Sequence, residues 1–261
     1  MKIFVASSGR CGTMFASEMF RQLTAIPSFH EPRPQCLHKV LYEVNNKARY
    51  SPEVVEELKN KVARVREDSR DGNYFESSQM FIKSYVDMIL NEFDTVYCIY
   101  LFRNPLKTLL SYYKQNPDRV TGWFLKPHWT KNVLHLKNKV GFWERILWEW
   151  YEVKARYLLY KKEFKKTYEF DFRKINNAAE WKRLFKHFGV EHKPFEELPQ
   201  ANKNMTAKDD CEALEGLIRD WKKPEEKPEK QLETTKVHLY AIDFVQRTVA
   251  LNSAEVNKCG M

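Results

Sequence analysis

Glycine and cysteine are scarce in this chain, eight and five among 261 residues, and neither forms a pattern that assigns the protein outright. Cys11, Cys36, Cys98, Cys211 and Cys259 are odd in number, widely scattered and never in C-x-x-C spacing. That excludes a disulfide framework and predicts a reducing, cytoplasmic setting. No stretch of eighteen apolar residues occurs, so no membrane span is predicted. Apolar residues begin almost at Met1, which in this reading leaves no room for a leader peptide or membrane stem. There is no internal repeat, no metal-ligand cluster and no Ser-His-Asp arrangement, so no metal is predicted.

What the chain does have is positive charge. Forty-four Lys and Arg against thirty-five Asp and Glu give a net charge of +9. That balance suits a polyanionic ligand, a nucleic acid or an acidic surface, and equally a basic, well-solvated enzyme exterior. The length allows one sizeable core. Alternating strand and helix signals predict a single α/β domain over 1–261, with 191–261 as a helical C-terminal part.

The stretch around which this domain is organised is Ser7-Ser8-Gly9-Arg10-Cys11-Gly12-Thr13-Met14. Before it, Ile3-Phe4-Val5-Ala6 has the apolar, β-branched character of a buried strand. After it, Phe15, Met19 and Leu23 recur at helical spacing, which predicts a helix from about Thr13. Strand, Gly-containing loop and helix make an anion cradle: unpaired N–H groups of the first helical turn face the ligand, and the helix dipole favours negative charge there. Arg10 adds a fixed cation, and Gly9 and Gly12 let the backbone come close. A nucleotide-hydrolysing P-loop would require G-x-x-x-x-G-K-[ST]. Here Gly12 is followed by Thr13-Met14 and the Lys is missing. A cysteine-phosphatase loop would place an Arg where Ser17 stands. Cys11 therefore reads as a small loop residue rather than a nucleophile, although a helix N-terminus lowers thiol pKa in general.

Further along, Phe29-His30-Glu31-Pro32-Arg33-Pro34 is predicted to be extended, Glu31 being biased to β or polyproline geometry by the proline after it. His30 and Glu31 are candidate general bases for an acceptor hydroxyl or amine; an ordinary Pro-bounded loop is the competing account. Ser51-Pro52 predicts a helix start. Met80-Phe81-Ile82-Lys83 reads as a strand with Lys83 at its C-terminal end, the edge at which open α/β sheets bind ligands. The run Thr95 to Phe102 is the strongest strand signal and, being apolar throughout, predicts a central parallel strand. It leads into Arg103-Asn104-Pro105, a helix cap with Pro at the first position, and Ser111 falls about two turns into that helix.

Gly9-Arg10-Cys11-Gly12-Thr13-Met14-Phe15 resembles the 5′-phosphosulfate loop of sulfotransferases that use 3′-phosphoadenosine 5′-phosphosulfate (PAPS). That loop is usually written P-K-S-G-T-T-W, with Arg for Lys in bacterial members. The strand, Arg103-Asn104-Pro105 and the helix holding Ser111 resemble the family's 3′-phosphate motif. Residues 1–190 carry the likeness. It implies a P-loop-like three-layer α/β fold with a mostly parallel sheet, and PAPS as donor. It also implies sulfuryl transfer to a hydroxyl or amine of a small-molecule or saccharide acceptor. By the same likeness Gly9, Arg10, Cys11, Gly12, Thr13 and Met14 hold the 5′ end, and Arg103 and Ser111 the 3′-phosphate. Lys83 assists at the sulfonate, and Glu31 or His30 serves as base. Tyr168, in the strand Thr167 to Phe170, is placed near the adenine, a satisfied core tyrosine being the alternative. Two departures stand out. Tyr85 occupies the place of a catalytic histidine, and the family's arginine–lysine–glycine clamp is not evident.

Asn116 to Asn138 interleaves basic and aromatic residues, a pattern fitting an acceptor pocket or lid, plain packing, or a nucleic-acid surface. Helices are predicted over Gly141 to Phe164, Ala178 to Phe188, Asp209 to Trp221 and Leu232 to Leu251, with an exposed charged connection at 222–230. A P-loop-like nucleotide kinase and a basic nucleic-acid-binding protein remain the alternative functions. The former is opposed by the missing Lys, and the latter by the lack of a recognised module.

Overall fold

The computed structural model describes residues 1–37, 39–115, 134 and 142–198. The expected pocket segment at 116–138 (Leu134 apart), both helices expected beyond residue 205 and the charged connection between them lie outside the described residues. The chain divides into two compact units.

The first unit holds five parallel strands: β1 (Lys2–Ala6), β2 (Ser28–His30), β3 (Tyr74–Ser77), β4 (Val96–Phe102) and β5 (Lys166–Asp171), in the order β2-β3-β1-β4-β5. Its helices are α1 (Thr13–Leu23), α2 (Lys39–Asn46), α3 (Pro52–Asp68), α4 (Val86–Glu92) and α7 (Ala178–Phe188). This is the predicted α/β class, with a central parallel sheet between helical layers. Side chains alternate across the sheet with period two. Ile3, Val5, Phe75, Ile99, Leu101 and Phe170 pack with α1 and α7 around Phe20, Trp181 and Phe185. Phe4 points to the other face, where its ring stacks on Phe81 at 4.6 Å. The α7 boundaries follow from local chemistry: Asn177 caps the Glu180 N–H, and Gly189 takes the left-handed conformation that ends the helix. At the start of α3, Pro52 is in the first turn as expected, but Ser51 makes no side-chain cap bond; its backbone N–H goes to Glu43 Oε2 at 2.6 Å.

In the second unit the described helices are α5 (Pro105–Gln115) and α6 (Phe142–Tyr160), the last residue of α6 belonging to the first unit. Ile146, Trp150, Val153 and Tyr157 of the predicted aromatic stripe are buried. Both backbone groups of Leu134 are bound by α6: its N–H donates to Glu152 Oε2 at 2.7 Å, and its carbonyl accepts from Trp148 Nε1 at 3.0 Å. No helix among the described residues is long and apolar enough to cross a membrane.

Two local expectations are corrected. Met80–Lys83 is not a strand. The strand is β3, ending at Ser77, and Phe81–Tyr85 form one wide π-helical turn leading into α4. A short apolar run does not by itself distinguish a strand from a buried helical turn, and here the apolar residues are buried by packing, Phe81 against Phe4. Nor is Glu31 extended. It has φ of 45°, held by bonds on both sides: its N–H donates to Ser77 O at 3.3 Å, its carbonyl accepts from Gln35 Nε2 at 3.2 Å, and the next carbonyl, Pro32 O, accepts from Lys61 Nζ at 3.3 Å. Such over-determination is what sustains a left-handed residue, whose conformation costs about 1–3 kcal/mol.

Candidate active site

All five strands are parallel, so their carboxyl ends share one edge of the sheet. From β1 the chain goes to β2 on one side, and from β4 it goes to β5 on the other. The loops after β1 and β4 thus diverge, which opens the crevice where open α/β sheets take their ligands. The loop after β1 is the predicted cradle, and the residue after β4 is Arg103.

The cradle is held by bonds between its own residues. Gly9, Arg10 and Gly12 all have positive φ, at 91°, 55° and 85°. The Gly9 N–H donates to Ser7 Oγ at 3.1 Å, and the Cys11 thiol donates to Gly9 O at 3.0 Å. Cys11 is wholly buried in this turn, as its reading as a small loop residue requires. The Gly9 amide is therefore engaged inside the loop. The first turn of α1 receives no side-chain cap bond, so its leading N–H groups keep the orientation that suits an anion. Gly12 is needed for space as well as conformation. A Cβ there would stand 2.3 Å from Ile175 Cδ1 and 3.0 Å from Phe172 Cε2.

Two cations reach the cradle from neighbouring strand ends. Lys83, buried in the π-helical turn after β3, donates from Nζ to Ser8 O at 3.4 Å and to Gln79 Oε1 at 3.3 Å. Arg103, directly after β4, donates from Nη1 to Arg10 O at 3.4 Å, and its guanidinium lies 4.6 Å from the Phe172 ring centroid. That distance is within cation–π range. Lys83 thus keeps its predicted place at the carboxyl edge although its segment is helical. Arg10 itself is half-buried, and Met14 is exposed at the start of α1.

On the far side of β3, His30 closes strand β2, with Glu31 directly after it. His30 Nδ1 lies 2.9 Å from Ser77 O and 3.1 Å from Ser77 Oγ. A carbonyl oxygen only accepts, so the neutral ring donates from Nδ1 and leaves its lone pair on Nε2. Tyr85 is fully enclosed and bonded to Glu76. Burial, then the Glu76 charge, pushes its phenol well above its ordinary value, so it is no base.

Two further predicted residues lie in other elements. Tyr168 pairs with Ile99 in mid-strand, three residues short of the carboxyl end of β5. Its hydroxyl donates to Glu180 Oε1 at 2.8 Å, and burial together with that bond raises its pKa to about 12. Ser111 belongs to α5 in the second unit, in the second turn of that helix. Missed in the sequence were Phe172 and Ile175, which follow β5 and wall the cradle at Gly12, and Ser77, which orients His30. None carries a local signal, because each acts through residues more than forty positions away.

No family model matches the chain, and no curated protein matches it. Among solved structures it is similar to the crystal structure of a sulfotransferase from Alicyclobacillus acidocaldarius. The likeness has 15% sequence identity and a TM-score of 0.44, and covers 83% of this chain and 95% of that chain.

Proposed function

We propose that the chain is a sulfotransferase that moves the sulfuryl group of PAPS to a hydroxyl or amine of a small-molecule or saccharide acceptor. The observation that carries the reading is the convergence of cations on one Gly-containing turn: Arg10 within it, Lys83 bonded to Ser8 O and Arg103 bonded to Arg10 O. The donor's charges match that set. When bound, PAPS supplies an activated sulfuryl group: the acceptor atom bonds to sulfur as the bond from sulfur to the 5′-phosphate oxygen breaks, and that electron pair leaves with adenosine 3′,5′-bisphosphate.

The residues of this chain then divide the work. First-turn N–H groups of α1 and Arg10 hold the 5′ end; Arg10, which does not give up its proton, stabilises charge on the leaving oxygen. Lys83 neutralises the sulfonate oxygens. Arg103 holds the 3′-phosphate, a role that the family likeness also gives to Ser111. Glu31, or His30 through Nε2, takes the acceptor's proton. Such transfer depends mainly on positioning and charge, as in phosphoryl transfer.

Calorimetry of the full chain with adenosine 3′,5′-bisphosphate, with ATP and magnesium, and with an oligonucleotide tests the reading. Binding of the bisphosphate in preference to the other two is expected. Tighter binding of ATP would point to a kinase, and oligonucleotide binding that falls steeply with salt would point to a nucleic-acid protein.

A further inference from the structure

Beneath the site lies a charged cluster that stability does not account for. Lys61 of α3 and Glu76 of β3 form an ion pair at 2.8 Å, at 1% and 0% exposure. Glu76 Oε1 accepts from Lys61 Nζ and from the Tyr85 hydroxyl, while Oε2 accepts from the Tyr74 hydroxyl at 2.6 Å. Lys61 also donates to Pro32 O at 3.3 Å, and its ammonium lies 4.8 Å from the Tyr85 ring centroid. Burial and the Glu76 charge raise the pKa of both phenols, so both remain donors to the carboxylate. Replacing a buried ion pair by apolar residues of similar volume is often neutral or stabilising. The placement of the partners suggests another reason for this pair. Pro32 follows Glu31 in the left-handed turn, and Tyr85 lies two residues beyond Lys83 in the same π-helical turn.

We propose that Glu76 and Lys61 are positioning residues of the candidate site. Through Tyr85 they fix the turn that carries Lys83, and through the Pro32 carbonyl they fix the turn that presents Glu31. One buried carboxylate–ammonium pair thereby sets the spacing between the sulfonate-binding cation and the candidate base, which come from opposite sides of β3. The proposal rests on the sulfotransferase reading, since it is PAPS whose sulfonate Lys83 meets.

The readout is the affinity for PAPS relative to that for adenosine 3′,5′-bisphosphate, which lacks the sulfonate. General damage to the fold moves both affinities, whereas misplacement of Lys83 moves only the first. Because removing one charge alone threatens folding, the test uses Tyr85→Phe and the double variant Lys61→Met with Glu76→Leu, each checked by a thermal melt. Tyr85→Phe is expected to weaken PAPS binding about fivefold, the loss of one hydrogen bond, with bisphosphate binding within about twofold of the parent. The double variant is expected to weaken PAPS binding by about tenfold or more with the same selectivity. Variants that weaken both ligands alike, or neither, overturn the positioning role while the functional reading stands. A parent chain that binds neither nucleotide overturns both.

Discussion

Gly12 is the residue at which two separate constraints meet. Its φ of 85° favours glycine, and the Ile175 and Phe172 side chains fill the space a Cβ would need. Gly189 has a similar φ, 70°, with nothing within 4 Å of its Cβ position. The pair therefore separates conformation from packing. Gly189→Ala should cost about 1–2 kcal/mol of stability, the left-handed strain alone. Gly12→Ala should add an overpacking term of about 1–3 kcal/mol and lower the affinity for adenosine 3′,5′-bisphosphate, which Gly189→Ala leaves alone. Melts and calorimetry on both variants check this, and equal losses would remove the packing argument. Arg103→Ala should raise the Km for PAPS; an unchanged value would refute its placement at the 3′-phosphate. A positioned general base typically contributes about 10²–10⁴-fold to turnover. Glu31→Gln should on that ground cut turnover steeply while barely moving donor affinity. If turnover survives it and falls in His30→Gln, Nε2 of His30 is the base.

Some elements here are joined by ionic and polar contacts as well as by apolar packing. Glu43 of α2 accepts from Lys47 Nζ at 2.7 Å and from the Ser51 N–H that opens α3. Those two bonds, the Lys47 bond first, hold its carboxyl down at about 2, against roughly 4.3 in an unfolded chain. A depressed folded-state value means the stabilisation is complete above the unfolded pKa and is lost as pH falls through the folded one. The parent should thus lose stability between about pH 5 and pH 2 more steeply than Glu43→Gln does, as acid titrations of the two melts would show. Strand β3 makes the related point with an interior charge. Lys61→Met alone should destabilise by about 3–5 kcal/mol by stranding Glu76, and adding Glu76→Leu should recover only part of it, because the buried Tyr74 and Tyr85 hydroxyls then lose their acceptor.

At the scale of the first unit as a whole, strand order governs both protection and site. β1 is flanked by β3 and β4, whereas β2 and β5 are the outer strands among the described residues. Amide hydrogen exchange should be slowest in β1 and β4 and faster in the three-residue β2, because edge strands open at lower cost. Faster exchange in β1 than in β2 would contradict the order. The positive balance of the chain, +9, finds a local expression at the carboxyl edge, where Arg10, Lys83 and Arg103 gather. Those three span 93 positions of the chain, and parallel strands bring them to one loop.

The sequence alone was sufficient for β1 with its loop and α1, and for β4 running into α5. In both, short-range patterns suffice: an apolar strand, glycines or an Asn-Pro cap, and helical spacing after it. It also marked His30, Glu31 and Lys83 as chemically apt. It did not reveal β3, whose Tyr74-Phe75-Glu76-Ser77 carries a carboxylate that belongs inside only because Lys61, Tyr74 and Tyr85 surround it. It misassigned Met80–Lys83 and the backbone of Glu31 for the same reason. A short apolar run, or a residue before proline, takes its conformation from partners brought near only by folding. Tertiary structure alone decided that Lys83 and Arg103 meet the cradle from either side, that Phe172 and Ile175 wall it, and that Ser77 turns His30, since hydrogen bonds and packing across a parallel sheet join residues the chain order keeps apart.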